Sequence, residues 1–290
     1  KYNVAKLGAT GVDGSRIRSI LEERNFPVKN IKFLSSAKSA GKEVEFMGKT
    51  YKFEEAKPES FDGVDIVLAS AGASTSKHFV DEIVKRGADL VDNTSAFRLD
   101  KDVPLVTAGV NDNDLKQHHG VIANPNCSTS QLMLVLKPLH DYAKIKRLIV
   151  STYQSVSGAG KAAIDELTED TKARLENKPF ENKCFKAQIA FNAIPQIDVF
   201  VDNDYTKEEM KVTNETKKIL HLDEKTPISC TAVRVPVYIS HSEAVDVEFE
   251  KEITPEKVRE LLENAYGVEV IDNPSQYKFP TAVQAAGTDP

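Results

Sequence analysis

The opening of the chain is the feature that most restricts its fold. An apolar strand, YNVAKL, runs into the glycine-rich turn GATGVDG (Gly8 to Gly14), which feeds the helix-like stretch DGSRIRSILEER. Glycines in that position permit a tight turn and bring backbone N–H groups close to a phosphate at a helix N-terminus. The alternation then continues. IKFLSS and VDIVLAS read as strands, SKHFVDEIVKRG as a helix ending at Gly87, and ADLVDNTS and VPLVTAGV extend the pattern. Strands alternating with helices favour an α/β domain built on a parallel, doubly wound sheet.

After Cys127 the texture changes. A helix is followed by the strand IKRLIVSTYQ, the charged helix GKAAIDELTEDTKARLEN, and the alternating segments SCTAVRVPV and EAVDVEFE, which read as antiparallel strands with one face buried. TPEKVRELLENAYG reads as a helix with Thr254 as N-cap and Pro255 in its first position. The expected division is a dinucleotide-binding domain over residues 1–126 and an α+β domain with a mixed sheet over residues 127–290. A chain of 290 residues has material for two such cores.

Composition excludes several classes. The three cysteines, Cys127, Cys184 and Cys230, are too few and too scattered for a disulfide framework, and no His/Cys cluster has metal-ligand spacing, so a reducing, cytoplasmic setting and no metal are expected. A formal net charge of −6 argues against a general nucleic-acid surface. No apolar run approaches the roughly 20 residues needed to span a bilayer, and no signal peptide is read at the start. The first residue is Lys1 rather than Met, so the natural start is expected upstream.

Two stretches carry candidate chemistry. In GVIANPNCSTSQLMLVLK, Cys127 stands where an apolar run gives way to a helix, with Ser128, Thr129 and Ser130 suited to its first turn. At a helix N-terminus the exposed N–H groups and the dipole favour thiolate, the form that attacks electrophiles; the alternative is a buried cysteine acting as a small apolar residue. In SSAKSAGK, the end of the second strand has no acid for a ribose hydroxyl, while Ser36, Lys38 and Ser39 suit a 2′-phosphate. That points to NADP rather than NAD, against the alternative of a solvated loop.

The stretches GATGVDG, SSAKSAGK, DNTSAFR, NPNCSTSQ, STYQSVSGAGKAAIDEL, AFNAIPQID, EEMKVTNETKKIL and VRVPVYISHSEAVDVEFE occur in that order. Together they resemble the aspartate-β-semialdehyde dehydrogenase family, and NPNCSTSQ and RVPVYISHSE are its most specific elements. The resemblance implies NADPH-dependent reductive dephosphorylation of L-4-aspartyl phosphate to L-aspartate 4-semialdehyde and phosphate. That reaction serves lysine, threonine, methionine and diaminopimelate biosynthesis. It implies Cys127 as nucleophile, His241 as general acid/base, Gln154 orienting the substrate, and Asn126 touching the phosphate or acyl oxygen. It assigns Arg98 and Lys211 to the phosphate, Arg234 to a carboxylate, and Glu209 to the α-amino group. For the cofactor it implies Gly8, Thr10, Gly11, Gly14, Ser36, Lys38, Ser39, Gly72, Ser157 and Gly158.

The same resemblance implies a homodimer. It also implies a further strand region and a helix beyond QAAGTDP that return to the cofactor domain. Two residues depart from the pattern: Lys6 in a central strand where an apolar residue is expected, and Asp13 beside the pyrophosphate loop. The alternatives are a related reductase, such as N-acetyl-γ-glutamyl-phosphate reductase, or a non-catalytic NADP-binding paralogue. His118 and His119 are expected in a loop, and Cys184 and Cys230 as structural thiols.

Overall fold

The structure, a computed structural model, describes residues 1–288 and falls into two compact units. One comprises Lys1–Val106 with Asn111–Pro125; the other holds Thr107–Val110 and the chain from Asn126 onward.

The first unit runs β1 (Tyr2–Leu7), α1 (Val12–Glu23), β2 (Val28–Ser35), β3 (Glu43–Phe46), β4 (Lys49–Glu55), β5 (Ile66–Ala69), α2 (Ala73–Lys85), β6 (Asp89–Asp92) and β7 (Val121–Ala123). The strands form one sheet in the order β3-β4-β2-β1-β5-β6-β7, parallel throughout except for the β3–β4 pair. Apolar residues cover both faces. Ala5, Leu7, Leu34, Val67 and Leu90 pack with Phe79 and Ile83 of α2. Val4, Ile31 and Phe33 pack with Leu21 of α1.

The hairpin β3–β4 is an addition to the alternating pattern read from sequence. Its turn is Met47-Gly48, with φ of 47° and 72°. A methionine in the left-handed region costs about 1–2 kcal/mol, so the usual Asn-Gly signal is missing. What holds the hairpin is tertiary: the Phe33 ring meets Phe46 and Tyr51 edge-on with centroids 5.6 Å away, and Phe53 at 6.3 Å. VPLVTAGV does not continue the sheet as a strand. Pro104 has no N–H to give, and the segment makes a single bridge, Leu105 to Ala123.

β1 has β2 on one side and β5 on the other, so the strand order reverses beside it. Ligands of open α/β sheets bind at such a switch point, beyond the carboxyl ends of the strands. A cleft of about 430 Å³ lies there, lined by Leu7, Gly8, Thr10, Gly11, Ser36 and Ser70 among others.

In the second unit, α3 (Cys127–Ala143), β8 (Ile145–Gln154), α4 (Lys161–Leu175), α5 (Lys207–Ile219), β9 (Ile228–Arg234), β10 (Ser242–Phe249), α6 (Pro255–Glu263) and α7 (Ala282–Ala285) follow in order. Its sheet has the order β10-β8-β9, with β10 antiparallel and β9 parallel to β8. The antiparallel expectation for SCTAVRVPV is therefore corrected: α4 and α5 intervene, and a crossover of that kind delivers a parallel strand. The strand also stops at Arg234, ahead of Pro236. Thr254 caps α6 by accepting from the Lys257 N–H, with Pro255 next, as read. Buried Glu166 and Asp170 of α4 accept backbone N–H groups from Lys183 and Cys184 and from Ile189 and Ala190, tying down the segment that follows the helix. No helix among the described residues is long and apolar enough to cross a membrane.

Lys6 is fully buried in β1, on the same face as Val4. Its ammonium donates to the Leu7 carbonyl (2.9 Å), the Leu68 carbonyl (3.3 Å) and Ser70 Oγ (2.7 Å), stitching β1 to the end of β5. Burial pushes its pKa down from 10.5 to about 8, against the opposing charges of Asp13 and Asp92. Between those two values the unfolded chain holds the proton and the folded chain does not, so stability contributed at this site rises with pH. In urea denaturation from pH 8 to pH 10.5, the unfolding free energy is expected to shift in favour of the natural protein over Lys6→Met by about 3 kcal/mol. Parallel curves for the two proteins would show that Lys6 is not so perturbed.

Candidate active site

The site in the second unit is a product of strand register. β8 and β9 run parallel with Gln154 opposite Arg234, and antiparallel β10 begins with Ser242 opposite Tyr153. The ends of β8 and β9 and the start of β10 thus converge, bringing Gln154, Arg234 and His241 together. Ser240, just before His241, has φ of 82°, a strained conformation for a non-glycine residue of the kind often found at functional sites.

Cys127 is the first residue of α3 because Asn126 caps that helix: its Oδ1 accepts from the Ser128 N–H at 2.9 Å. The sulfur is exposed at the positive end of a 17-residue helix, and His241 Nε2 lies 3.2 Å from it. His241 Nδ1 accepts from the Ser155 N–H at 3.0 Å, and the Ser155 carbonyl accepts from Arg234 Nη1 at 2.7 Å. Gly158 closes this corner, since a Cβ there would stand 3.3 Å from Arg234 Nη1 and 3.5 Å from His241 Nε2.

α5 contributes three buried carboxylates. Glu208 Oε1 accepts from Asn126 Nδ2 (3.0 Å) and Gln154 Nε2 (3.1 Å), and its Oε2 accepts from Lys211 Nζ (3.1 Å). Lys211 also donates to Asp198 (2.9 Å), and Glu215 accepts from the backbone N–H of Asn126 (2.7 Å). Glu209 faces elsewhere, away from Asn126 and Gln154. Its carboxylate accepts from the N–H of Thr206 (2.7 Å) and of Ala232 (3.0 Å), completing a capping box with Thr206. The T-x-x-E spacing in TKEE carries that signal, and counting it would have moved the site role to Glu208. Asn126 and Gln154 are engaged within the protein. The Asn126 amide serves the cap and Glu208, and Gln154 joins Glu208 to the Thr152 hydroxyl.

The electrostatics follow from burial and charge. Burial and then Arg234 push His241 down to about 4, although Glu208 works in the other direction. Burial would raise Glu208, but Lys211, Gln154 and Asn126 outweigh it and hold the carboxyl below its ordinary range. Burial would lower Lys211, but Glu208 and Asp198 outweigh it and keep the amine firmly protonated. Burial pushes the Cys230 thiol up to about 12, and burial and Glu166 raise Cys184, so neither competes as a nucleophile.

The residues expected at the cofactor group differently. Gly8, Thr10, Gly11 and Ser36 line the cleft of the first unit. Gly8 has φ of 82°, and a Cβ there would meet the Ala71 N at 2.6 Å, so only glycine fits. Gly14 is buried in α1 against the Gly8 carbonyl, and Gly72 is the N-cap of α2. Lys38 and Ser39 occupy the turn after Ser36. Ser157 and Gly158 belong to the second unit beside Ser155 and His241. Ser70 and Glu55 are among the cleft residues that the sequence did not mark. Glu55 arrives from β4, opposite Ser35 of β2, a neighbour that spacing does not reveal. Arg98 lies in the first unit, where its guanidinium donates to the carbonyls of Asn124 (2.8 Å) and Asn93 (3.0 Å). His118 closes a short helical turn and accepts from the Gly120 N–H. Among the described residues no group of three or more His, Cys, Asp or Glu could hold a metal ion.

A dinucleotide-type cleft in one unit and a cysteine–histidine pair in the other match two family models. These are the NAD-binding domain of semialdehyde dehydrogenases over residues 3–118 and their dimerisation domain over residues 136–290. The class is therefore that of the semialdehyde dehydrogenases. The chain is 51% identical to the aspartate-semialdehyde dehydrogenase of Aquifex aeolicus over 99% of its own length and 86% of that protein's. The crystal structure of aspartate semialdehyde dehydrogenase II from Vibrio cholerae, complexed with ASA, superposes with a TM-score of 0.95 at 44% identity, covering 100% of this chain and 85% of that one. A more distant structure, the Candida albicans enzyme with NADP, gives 0.69 at 26% identity, over 90% and 76% of the two chains. The chain belongs to the aspartate-semialdehyde dehydrogenase family.

Glu209→Ala removes the cap and leaves the Ala232 N–H without its acceptor. Its unfolding free energy is expected to fall by about 1–3 kcal/mol in urea denaturation. An unchanged midpoint would return Glu209 to consideration as a ligand-binding group.

Proposed function

We propose that this chain catalyses the NADPH-dependent reductive dephosphorylation of L-4-aspartyl phosphate to L-aspartate 4-semialdehyde and phosphate, through a thioester on Cys127. The carrying observation is the exposed Cys127 sulfur at the N-terminus of α3, 3.2 Å from His241 Nε2. Membership of the family supports the reaction.

Helix N–H groups and the charge of Arg234 favour negative charge on the Cys127 sulfur, which attacks the acyl carbon. The C–S bond forms as the C–O bond to phosphate breaks. His241 Nε2 stands at the sulfur to handle hydrogen bonding there and at the leaving oxygen. Arg234, a planar fork beside the sulfur, grips the α-carboxylate. Glu208 takes the α-ammonium, and Asn126 and Gln154 hold its carboxylate in place. That carboxylate also favours this reaction over an N-acetylated substrate, which has no ammonium to offer it. Lys211 and Arg98 serve the phosphate.

The cleft at the β1/β5 switch point fits the cofactor. Gly8 keeps the turn tight, and the space around Gly11 and Gly72 is open, leaving the start of α1 accessible to a pyrophosphate. Ser36, Lys38 and Ser39 suit the 2′-phosphate of NADP, Thr10 lies on the same loop, and Ser157 and Gly158 suit the nicotinamide end. When bound, the reduced nicotinamide supplies the hydride that converts the thioester to the aldehyde and returns the Cys127 thiolate. Domains meeting near residue 126, with cofactor and catalytic duties divided between them, go with this reading, as does a cytoplasmic location; no disulfide joins the cysteines among the described residues.

The natural protein is expected to form NADPH from L-aspartate 4-semialdehyde and NADP in a phosphate-dependent manner, and Cys127→Ser to lose about 10³-fold or more in kcat. Undiminished activity in that variant would remove Cys127 as the nucleophile. The match to a dimerisation domain supports a homodimer. Light scattering at micromolar concentration is expected to give twice the 32.0 kDa chain mass, and a monomer would refute the assembly.

A further inference from the structure

Lys6 is fully buried in β1 and has no part in the reaction just described. Packing alone does not account for a lysine there, because an apolar side chain would fill the space without the cost of burying a charge. Its three acceptors, the carbonyls of Leu7 and Leu68 and the Ser70 hydroxyl, are all neutral. The ammonium thus meets its hydrogen-bonding needs while no carboxylate in contact cancels its charge.

Those same bonds fix where the charge stands. Leu7 and Ser70 line the cleft at the switch point, together with Gly8, Thr10 and Gly11. Ser70 Oγ is 2.7 Å from the ammonium and 3.4 Å from the Gly8 carbonyl, so a short chain of donors runs from Lys6 through Ser70 to the glycine turn. The cation therefore stands directly behind the wall that a pyrophosphate would face. Asp13, exposed in the first turn of α1, sets a negative charge beside the same turn.

We propose that Lys6 belongs to the cofactor site: its buried ammonium, held behind the glycine turn by Ser70 and the Leu7 carbonyl, supplies positive charge to the dinucleotide's phosphates and offsets Asp13. The proposal deepens the functional reading above and rests on NADP being the cofactor. It also accounts for an acid and a buried cation placed around one turn.

Protonation then couples to binding. Burial, the largest influence on Lys6, disfavours the ammonium, and Asp13 from α1 and Asp92 from β6 favour it, leaving the pKa at about 8. Asp92 is itself occupied by the Ser76 hydroxyl and by the N–H and hydroxyl of Thr94, and Arg16, the next charge along α1, pairs with Glu23. The register neighbours of Lys6, Phe33 on β2 and Leu68 on β5, carry no charge. Phosphates bound in the cleft favour the ammonium further, so the bound state holds the proton to higher pH than the free state does. Between pH 8 and pH 9.5, binding therefore draws a proton from solvent onto Lys6, and affinity falls as pH rises. That window lies above the second ionisation of a phosphate monoester, about pH 6, so the ligand's own titration does not intrude.

The test is isothermal titration calorimetry of NADP into the natural protein, Lys6→Met and Asp13→Asn, with no substrate present, in Tris and in EPPS buffers, whose ionisation heats differ. With the phosphates raising Lys6 by about one unit, the natural protein is expected to take up about half a proton per NADP at pH 8.5 and to bind about sevenfold more weakly at pH 9.5 than at pH 7. Lys6→Met is expected to show no uptake, a flat profile over that range and about tenfold weaker binding at pH 7. Asp13→Asn is expected to bind more tightly than the natural protein at pH 9.5, where the acid stands uncompensated.

A lysine that only ties β1 to β5 would leave the proton count at zero. NADP binding without proton uptake at pH 8.5 in the natural protein overturns the proposal and leaves the cofactor reading standing, whether or not the variants fold. Uptake that persists in Lys6→Met does the same. No binding of NADP at pH 7 removes the cofactor reading, and this proposal with it.

Discussion

The double pairing of β8 is the constraint on which the site depends. Its parallel partner delivers Arg234 opposite Gln154, and its antiparallel partner starts just after His241, which lies close to Ser155. A slip of one residue in either register would turn the facing side chains to the other side of the sheet. The peptide of Ser155 then links the two, its carbonyl taking Arg234 and its N–H facing His241. These backbone contacts depend on register rather than on any particular side chain at position 155.

The second determinant is buried charge. α5 buries Glu208, Glu209 and Glu215, a composition that would be prohibitive without partners. Each carboxylate has a different answer: side-chain amides and Lys211 for Glu208, the helix cap and Ala232 for Glu209, and the Asn126 N–H for Glu215. Two of the three thereby hold Asn126, and Asn126 starts the helix whose first residue is Cys127. The polar network supports the position of the nucleophile because it satisfies its own burial. Lys6 in the first unit follows the same rule with the opposite sign, its ammonium meeting two carbonyls and a hydroxyl at the end of the central strands.

Much of this was legible in the residues. The strand–glycine–helix opening, the start of α3 at Cys127, the strand over residues 145–154 and the Thr254-Pro255 helix start all rest on local rules of period, capping and turn chemistry. The misread strands have non-local causes. The Met47-Gly48 hairpin lacks a standard turn signal and is held by an aromatic cluster assembled from three strands. The strand at 228–234 alternates like an antiparallel one, yet its partner is chosen by a crossover of two helices. Glu208 and Glu209 are adjacent in the chain, and the box that consumes one of them was there to be read.

The sequence by itself determined the element types, the glycine loop, the helix that begins at Cys127 and the family to which the chain resembles its relatives, because these depend on patterns within a few residues or on ordered motifs. Only the tertiary structure decided that Glu215 takes the Asn126 N–H, that Ser155 faces the Nδ1 side of His241, and that Glu55 lines the nucleotide cleft. Those outcomes depend on strand register and on which donors lie across from a buried group, contacts between residues far apart in the chain, 89 positions from Asn126 to Glu215, and no local pattern encodes them.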